Sequence, residues 1–202
     1  MPDPAQFRLF VAVTVPQGVK AKMEEAQSEL RRVLPQRSVR WARSEQFHLT
    51  LRFLGDVEAT RTEALGDALR AACRGFGAVH LRAEGVGCFP DLRYPRVAWV
   101  GVKDQAEQLP RLQQTVETAT ESFTTEAKEG RFTGHITLAR LKGIKRSEAE
   151  ALGKTVAGMA DRLFGQWTAY QIELMRSVLL PQGARHTTLA AIALADRPAD
   201  LA

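Results

Sequence analysis

The sequence has few of the residues that mark secreted, zinc-binding or membrane proteins. Its 202 residues include only two cysteines, Cys73 and Cys88, which are too few for a disulfide framework and lie in no zinc-ligand spacing. No apolar run approaches the roughly 20 residues of a membrane-spanning helix. The start of the chain also lacks the pattern of a secretory signal. We therefore expect a cytoplasmic protein with reduced, buried thiols and no membrane attachment.

Aromatic and acidic residues are also scarce. Aromatics make up 7% of the chain, which is unfavourable for a strand that binds nucleic acid by stacking bases. The 23 Asp and Glu are outnumbered by 28 Lys and Arg, and 21 of these cations are Arg. Because Arg binds phosphate with a planar, bidentate group, the net charge of +5 favours a polyanionic partner such as nucleic acid. Charge alone fits both an enzyme and a binding module.

Hydrophobic periodicity divides the chain into two similar halves. Each half follows the order strand, helix, strand, helix, strand, over about residues 7–90 and 95–180, and a closing strand follows at 185–195. The predicted strands lie at 7–15, 47–54, 79–86, 96–102, 132–141 and 167–179, and the predicted helices at 17–34, 60–75, 105–127 and from 147 onward. The pattern predicts one domain made of two pseudo-symmetric lobes.

Two sequence matches indicate an internal duplication. The run RVAWVGV at 96–102 resembles RLFVAV at 8–13 with a displacement of 88 residues. The run His48-Leu49-Thr50-Leu51 recurs as His-Ile-Thr-Leu at 135–138, displaced by 87 residues. Two displacements that agree within one residue favour duplication over chance.

The repeated motif places an imidazole and a hydroxyl on one face of a strand. Side chains two positions apart project together, so His48 lies beside Thr50, and His135 beside Thr137. If the lobes face each other, two histidines flank one cleft. A neutral histidine then takes a proton from water, a protonated one donates to a leaving oxygen, and the hydroxyls bind phosphate oxygens. This set suits phosphodiester hydrolysis without a metal or cofactor.

Three further residues are ambiguous on sequence grounds. His186 begins a third His-x-Thr run, but no helix follows it, so we expect a structural role. Arg52 shares the face of His48 by strand parity and is a candidate phosphate contact. Arg140 falls on the opposite parity from His135 and reaches the cleft only if the strand bulges.

The sequence resembles the 2H phosphoesterase superfamily, and within it the RNA 2′,3′-cyclic phosphodiesterase family, also called 2′-5′ RNA ligase. The resemblance covers nearly the whole chain and rests on FHLTLRFLG at 47–55, GVGCFP at 85–90, PRVAWVGV at 95–102, HITLARL at 135–141 and SVLLPQG at 177–183. It implies an α+β fold with two similar lobes, each an antiparallel sheet flanked by helices, and an active-site cleft between them.

The resemblance also implies a role for each motif residue. His48 is expected to donate a proton to the leaving 3′ oxygen, and His135 to act as base toward water, which leaves a 2′-phosphate. Thr50 and Thr137 are expected to bind the phosphate, and Arg140 of the HxTLAR string to contact phosphate or nucleotide. We expect a monomer without an obligate protein partner, acting on RNA or nucleotide cyclic phosphate ends.

The chain departs from the family pattern at two positions. Gly134 stands where the family usually has Pro, and His186 where it commonly has Tyr. Two alternative functions stay open at this point. One is RNA joining through a 2′-5′ bond, the same chemistry in reverse, and the other is a non-catalytic RNA-binding module.

Overall fold

The computed structural model of the protein describes residues 5–128, 130–180 and 183–194. Within these residues, nine strands form two antiparallel sheets, and four α-helices cover them. The strands are β1 (Gln6–Thr14), β2 (Val39–Trp41), β3 (His48–Glu58), β4 (Val79–Phe89), β5 (Val97–Lys103), β6 (His135–Leu141), β7 (Leu163–Ala169), β8 (Gln171–Leu180) and β9 (Gly183–Ala193). The helices are α1 (Gln17–Arg31), α2 (Thr62–Cys73), α3 (Gln108–Thr120) and α4 (Arg146–Ala157).

The two halves of the sequence exchange strands between the two sheets. The first sheet has the order β3-β1-β8-β9, and the second has the order β2-β6-β5-β4-β7. Strand β4 of the first half thus pairs with β5 of the second half, while β8 of the second half pairs with β1. The fold is α+β with two similar lobes, as expected, but each lobe contains segments of both halves.

The helices follow the same exchange. Helices α2 and α3 contact β9 and β3 of the first sheet, whereas α1 and α4 contact β7 and β4 of the second. Gly165 on β7 lies against Val19 of α1, where a β-carbon would come within 2.8 Å of the Val19 side chain. One continuous apolar core runs through both lobes, so neither half is an independent unit of packing.

The residue pairing between strands shows by how many residues the two halves of the chain are displaced. The β1–β3 pairs from Phe10–Phe53 to Thr14–His48 recur 87 residues later in β5–β6, from Val97–Arg140 to Gly101–His135. The displacement of 88 inferred for the first strand of each half is therefore wrong by one residue. Apolar residues are similar enough to match one position out of register, whereas hydrogen-bonded partners fix the register.

The predicted strand at 167–179 is wrong, because it is two strands in different sheets. Strand β7 ends at Ala169 and β8 begins at Gln171, with Tyr170 between them. The Tyr170 carbonyl accepts a hydrogen bond of 2.8 Å from the Leu194 amide, which holds the corner. Apolar residues continue across it because both strands face the shared core.

Helix ends also differ from the predictions, because local hydrogen bonds decide them. The helix predicted to reach 127 ends at Thr120, and its start is held by Asp104, whose carboxylate accepts from the Gln108 and Leu109 amides. Helices α2 and α4 begin at Thr62 and Arg146, not at 60 and 147.

Candidate active site

The two His-x-Thr motifs begin two equivalent strands, one in each sheet. Strand β3 starts at His48 and β6 at His135. In both strands the histidine and the threonine are half-buried, while the two residues that alternate with them are buried. Each motif thus presents an imidazole and a hydroxyl on one face and two apolar side chains to the core, as the spacing predicts.

A β-bulge at Leu51 reverses the alternation further along β3. Leu51 has no cross-strand partner, because its neighbours Thr50 and Arg52 pair with consecutive residues of β1. Arg52 therefore points inward, where it is 4% exposed. Its guanidinium donates to the Glu126 and Ala127 carbonyls at 2.8 Å each. The expectation that Arg52 contacts phosphate is wrong, because one inserted residue moves its side chain to the other face.

The equivalent bulge in β6 has the opposite effect on Arg140. Leu138 lacks a partner on β5, because the residues on either side of it pair with consecutive positions. The bulge brings Arg140 onto the face of His135, where its side chain is exposed. The Leu138 carbonyl accepts hydrogen bonds from the Ala42 amide at 2.9 Å and from the Gln27 side chain of α1 at 2.8 Å. Arg140 was expected to reach the cleft only if its strand bulges, and the strand does bulge at Leu138.

His48 lies in an aromatic environment on the first sheet. Its ring centroid is 4.7 Å from that of Phe10 and 5.2 Å from that of His186. It also hydrogen-bonds the backbone at Gln46. These contacts hold the ring in one orientation and remove most of its contact with water.

The surroundings of His48 disfavour its protonated form. The pKa of His48 is lowered from 6.5 to about 3, chiefly by burial and also by the positive charges of His186, Lys20 and His135. The hydrogen bond to the Gln46 backbone acts in the opposite direction. Strands β3 and β6 contact each other, and the charge of His135 contributes to the lowered pKa of His48, so we treat the space between the two motifs as one candidate cleft.

His135 has a similar aromatic environment on the second sheet. Its ring lies edge-on to Phe89 at 4.9 Å, and Trp99 lies 6.5 Å away. Its Nδ1 is 2.8 Å from the Thr133 carbonyl. Because a carbonyl only accepts, Nδ1 carries the proton, and the Nε2 of a neutral His135 is left as a proton acceptor.

His186 belongs to the same cleft, which the sequence did not indicate. It lies on β9, and its ring is perpendicular to those of Phe10 and His48. Its Nδ1 is buried and has no hydrogen-bond partner within the described part of the chain. Burial lowers the pKa of His186. The residue 87 positions earlier is Trp99, which lies beside His135 as His186 lies beside His48.

A depression of about 840 Å³ lies over β4, β5 and β7 of the second sheet. Its lining includes Arg82, Glu84 and Lys103, which form an ion-pair chain with the carboxylate in the centre. It contains neither motif histidine. We therefore place the chemistry at the histidine cleft and not in this depression.

Other candidate sites are not found in the described residues. Among residues 5–128, 130–180 and 183–194, no group of three or more His, Cys, Asp or Glu side chains could hold a metal ion. Both cysteines are free and buried, and burial raises the pKa of each thiol to about 11. No helix in these same ranges is long and apolar enough to cross a membrane.

The family model described as LigT-like phosphoesterase matches the chain twice, over residues 13–99 and 100–186. The protein belongs to this family. The two matches are displaced by 87 residues, which is also the displacement of the strand ladders. The family model and the strand pairing therefore give the same 87-residue displacement between the two halves.

Three curated relatives of this LigT-like protein carry the name RNA 2′,3′-cyclic phosphodiesterase. The protein of that name from Aeropyrum pernix is 37% identical over 145 residues, covering 72% of this chain and 80% of its own length. The one from Thermus thermophilus is 33% identical and covers 91% of this chain and 88% of its own length. The one from Archaeoglobus fulgidus is 31% identical, with coverages of 88% and 94%.

Solved structures share the fold of this LigT-like protein. The crystal structure of TT0787 of Thermus thermophilus matches with a TM-score of 0.72 and 30% identity, over 93% of this chain and 97% of that one. E. coli LigT complexed with 3′-AMP matches with a TM-score of 0.74 over 95% and 100% of the two chains. Its identity of 22% makes it evidence for the fold alone.

Proposed function

We propose that the protein hydrolyses RNA 2′,3′-cyclic phosphodiester ends to 2′-phosphomonoesters by general acid and base catalysis. His135 accepts a proton from water as the water oxygen attacks phosphorus. The bond from phosphorus to the 3′ oxygen breaks, and His48 donates a proton to that oxygen. The two histidines perform both proton transfers, so the reaction requires neither a metal nor a cofactor.

The orientation of His135 suits the role of base. Its Nδ1 proton is held by the Thr133 carbonyl at 2.8 Å. The remaining Nε2 carries the lone pair that a general base needs, and the carbonyl stabilises the ring when it becomes doubly protonated.

His48 needs an anion beside it to act as an acid. With a pKa of about 3, it is neutral at pH 7 in the protein alone. A single negative charge about 4 Å away at an effective dielectric constant of about 20 contributes roughly 4 kcal/mol. That energy corresponds to a shift of about three pKa units. A bound phosphodiester therefore brings the pKa of His48 back toward 6, where the residue is able to donate.

Thr50 and Thr137 are proposed to bind the reacting phosphate, and Arg140 to contact the substrate next to it. Both threonine hydroxyls share a strand face with a motif histidine, and both are half-buried. Hydroxyl donors directed at the non-bridging oxygens stabilise the charge that develops there in the transition state. The exposed Arg140 guanidinium is placed by its bulge on the His135 face and supplies a bidentate donor.

The observation that carries this proposal is the equivalence of the two motifs in the strand ladders. His48 and Thr50 recur as His135 and Thr137 at one displacement, with a bulge after each threonine. A histidine kept only for packing has no reason to recur with its neighbouring hydroxyl in the other sheet. The curated relatives support the choice of substrate through their shared name.

The test is hydrolysis of a cyclic-phosphate oligoribonucleotide in the presence of a chelator. We expect His48→Ala and His135→Ala each to lower kcat by at least 100-fold, since each proton transfer contributes about 100- to 10,000-fold. His80→Ala is the control, because His80 is exposed and its Nδ1 lies 3.0 Å from the Thr168 hydroxyl, away from both motifs. Full activity in either motif variant overturns the mechanism. Salt-sensitive RNA binding without hydrolysis supports the binding module instead.

We also propose that the chain works as a single-domain monomer in the cytoplasm, without an obligate protein partner. Its one continuous core favours a single domain, and its two free cysteines favour a reducing compartment. Light scattering of the purified protein tests the oligomeric state, and an average mass of twice 22.3 kDa contradicts it.

A further inference from the structure

Two arginines lie directly opposite each other at one end of the cleft. Arg40 of β2 pairs with Arg140 of β6 in the antiparallel ladder. Cross-strand partners project from the same face of a sheet, with β-carbons about 5 Å apart. The bulge at Leu138 has placed Arg140 on the face of His135, so Arg40 lies on that face too. Both side chains are exposed.

No acidic side chain in the described ranges neutralises this pair. The ion pairs within residues 5–128, 130–180 and 183–194 involve other cations, so neither Arg40 nor Arg140 has a carboxylate partner there. Like charges directly opposite each other in a ladder destabilise it. An anion that binds between two guanidinium groups removes this repulsion and receives up to four donors.

The start of β9 lies beside Arg40. The ideal β-carbon position of Gly183, where φ is +123°, lies 3.9 Å from Arg40 Nη2, 3.7 Å from Gln46 Nε2 and 3.5 Å from Arg43 Nη2. Gln46 holds the start of β9 by donating to the Ala184 carbonyl at 2.6 Å. The start of β9 therefore closes this end of the cleft next to Arg40, and the absence of a side chain at Gly183 leaves the space beside the guanidinium open.

The pair is separated from the reacting phosphate by a short stretch of β6. Thr137 and Arg140 are two ladder steps apart, since the bulged Leu138 adds no step, which is roughly 7 Å along the strand. Arg40 lies one strand further out, about 5 Å away. A second phosphate in the same polynucleotide fits this separation better than a second contact to the reacting phosphate does.

We propose that Arg40, together with Arg140, binds the phosphate on the 5′ side of the nucleotide that bears the cyclic end. An RNA with a 2′,3′-cyclic terminus has no nucleotide beyond it, so every further phosphate lies on the 5′ side. The inference rests on the proposed function and deepens it. The protein selects the ends of RNA chains, or 5′-phosphorylated nucleotides, over nucleoside cyclic phosphates that lack a 5′-phosphate.

The experiment compares two substrates that differ by one phosphate. Nucleoside 2′,3′-cyclic phosphates with and without a 5′-phosphate are hydrolysed by the unaltered protein and by Arg40→Gln. We expect the unaltered protein to prefer the 5′-phosphorylated substrate by about tenfold in kcat/KM, as for one charge-assisted contact. Arg40→Gln abolishes this preference. On a cyclic-ended oligonucleotide, it also reduces the slope of log(kcat/KM) against log(salt) by about 0.7.

Arg111→Gln is the matched control for Arg40→Gln. Arg111 is exposed on α3 in the helical layer of the first sheet, and its replacement changes the net charge by the same amount. We expect Arg111→Gln to retain the preference for the 5′-phosphate. If the unaltered protein shows no preference, or if Arg40→Gln lowers kcat/KM equally for both substrates, the subsite is wrong.

Product binding separates a failure of the subsite from a failure of the proposed function. Calorimetry with a nucleoside 2′-phosphate and a nucleoside 2′,5′-bisphosphate needs no turnover. We expect the bisphosphate to bind about tenfold more tightly to the unaltered protein, and equally with the monophosphate to Arg40→Gln. If no cyclic phosphate is hydrolysed while this difference persists, the proposed reaction fails and the subsite stands. Equal binding of both ligands by the unaltered protein overturns the subsite.

Discussion

His186 stands perpendicular to His48, with 5.2 Å between the ring centroids and 88° between the ring planes. It is a second titratable ring beside a motif histidine, on a strand that is distant in sequence from His48. Phe10 contacts both rings, so the three side chains form one cluster on the first sheet.

Replacing His186 by Phe should raise the pKa of His48. The variant keeps an aromatic ring in the cluster but removes one of the three nearby positive charges, while those of Lys20 and His135 remain. The pKa of His48 should stay below 6.5, because burial is the larger cause of its depression. Histidine ring NMR across pH measures the change, and His80→Phe serves as the control. If the pKa of His48 is unchanged or lower in His186→Phe, His186 does not lower the pKa of His48 in the unaltered protein.

The free energy of unfolding of the protein should decrease as the pH is lowered, because of His48. Its pKa is about 3 in the folded protein and 6.5 in an unfolded chain, so below pH 6.5 the unfolded state binds more protons. The free energy of unfolding therefore decreases from pH 6.5 down to about 3, by up to a few kcal/mol from this residue. Urea unfolding at several pH values measures the slope. His48→Gln should flatten it between pH 6.5 and 4, and an unchanged slope contradicts the assignment.

Arg52→Met should destabilise the fold without weakening phosphate binding. The substitution leaves the carbonyls of Glu126 and Ala127 without their buried donor, at a cost of about 2–4 kcal/mol in the free energy of unfolding. Arg61→Met is the control, because Arg61 donates to the Ser122 carbonyl from an exposed position and should change stability by less than about 1 kcal/mol. A large rise in KM for Arg52→Met at unchanged stability shows that Arg52 contacts phosphate after all.

Gly87→Ala should disturb the wall of the cleft beside His135. A β-carbon at Gly87 overlaps the Trp99 ring, whereas nothing lies within 4 Å of one at Gly153 in α4. We expect Gly87→Ala to lower the free energy of unfolding by about 1–3 kcal/mol and to lower kcat/KM. Gly153→Ala should raise the free energy by up to about 1 kcal/mol, because alanine favours the helix. Equal effects of the two substitutions rule out the close approach of Trp99 to β4.

Local patterns in the sequence predict much of this protein. Strand alternation places His48 with Thr50 and His135 with Thr137, and the repetition of that pair predicts two lobes around one cleft. The helix predictions located all four α-helices of the described residues but not their ends. These features follow from residues close together in the chain, so a short window of sequence contains the information.

Tertiary structure decided the rest. Two bulges at equivalent positions turned Arg52 inward and Arg140 toward the cleft, and a bulge depends on cross-strand pairing that has no local signature. His186 reached His48 because β9 pairs with β8 and β8 with β1, a chain of long-range contacts. Arg40 met Arg140 through another such pairing. The sequence by itself determined which residues repeat and which face of an undistorted strand they occupy. Only the hydrogen-bonded register between distant strands determined which side chains meet, because one extra residue in a strand moves the following side chains to the opposite face.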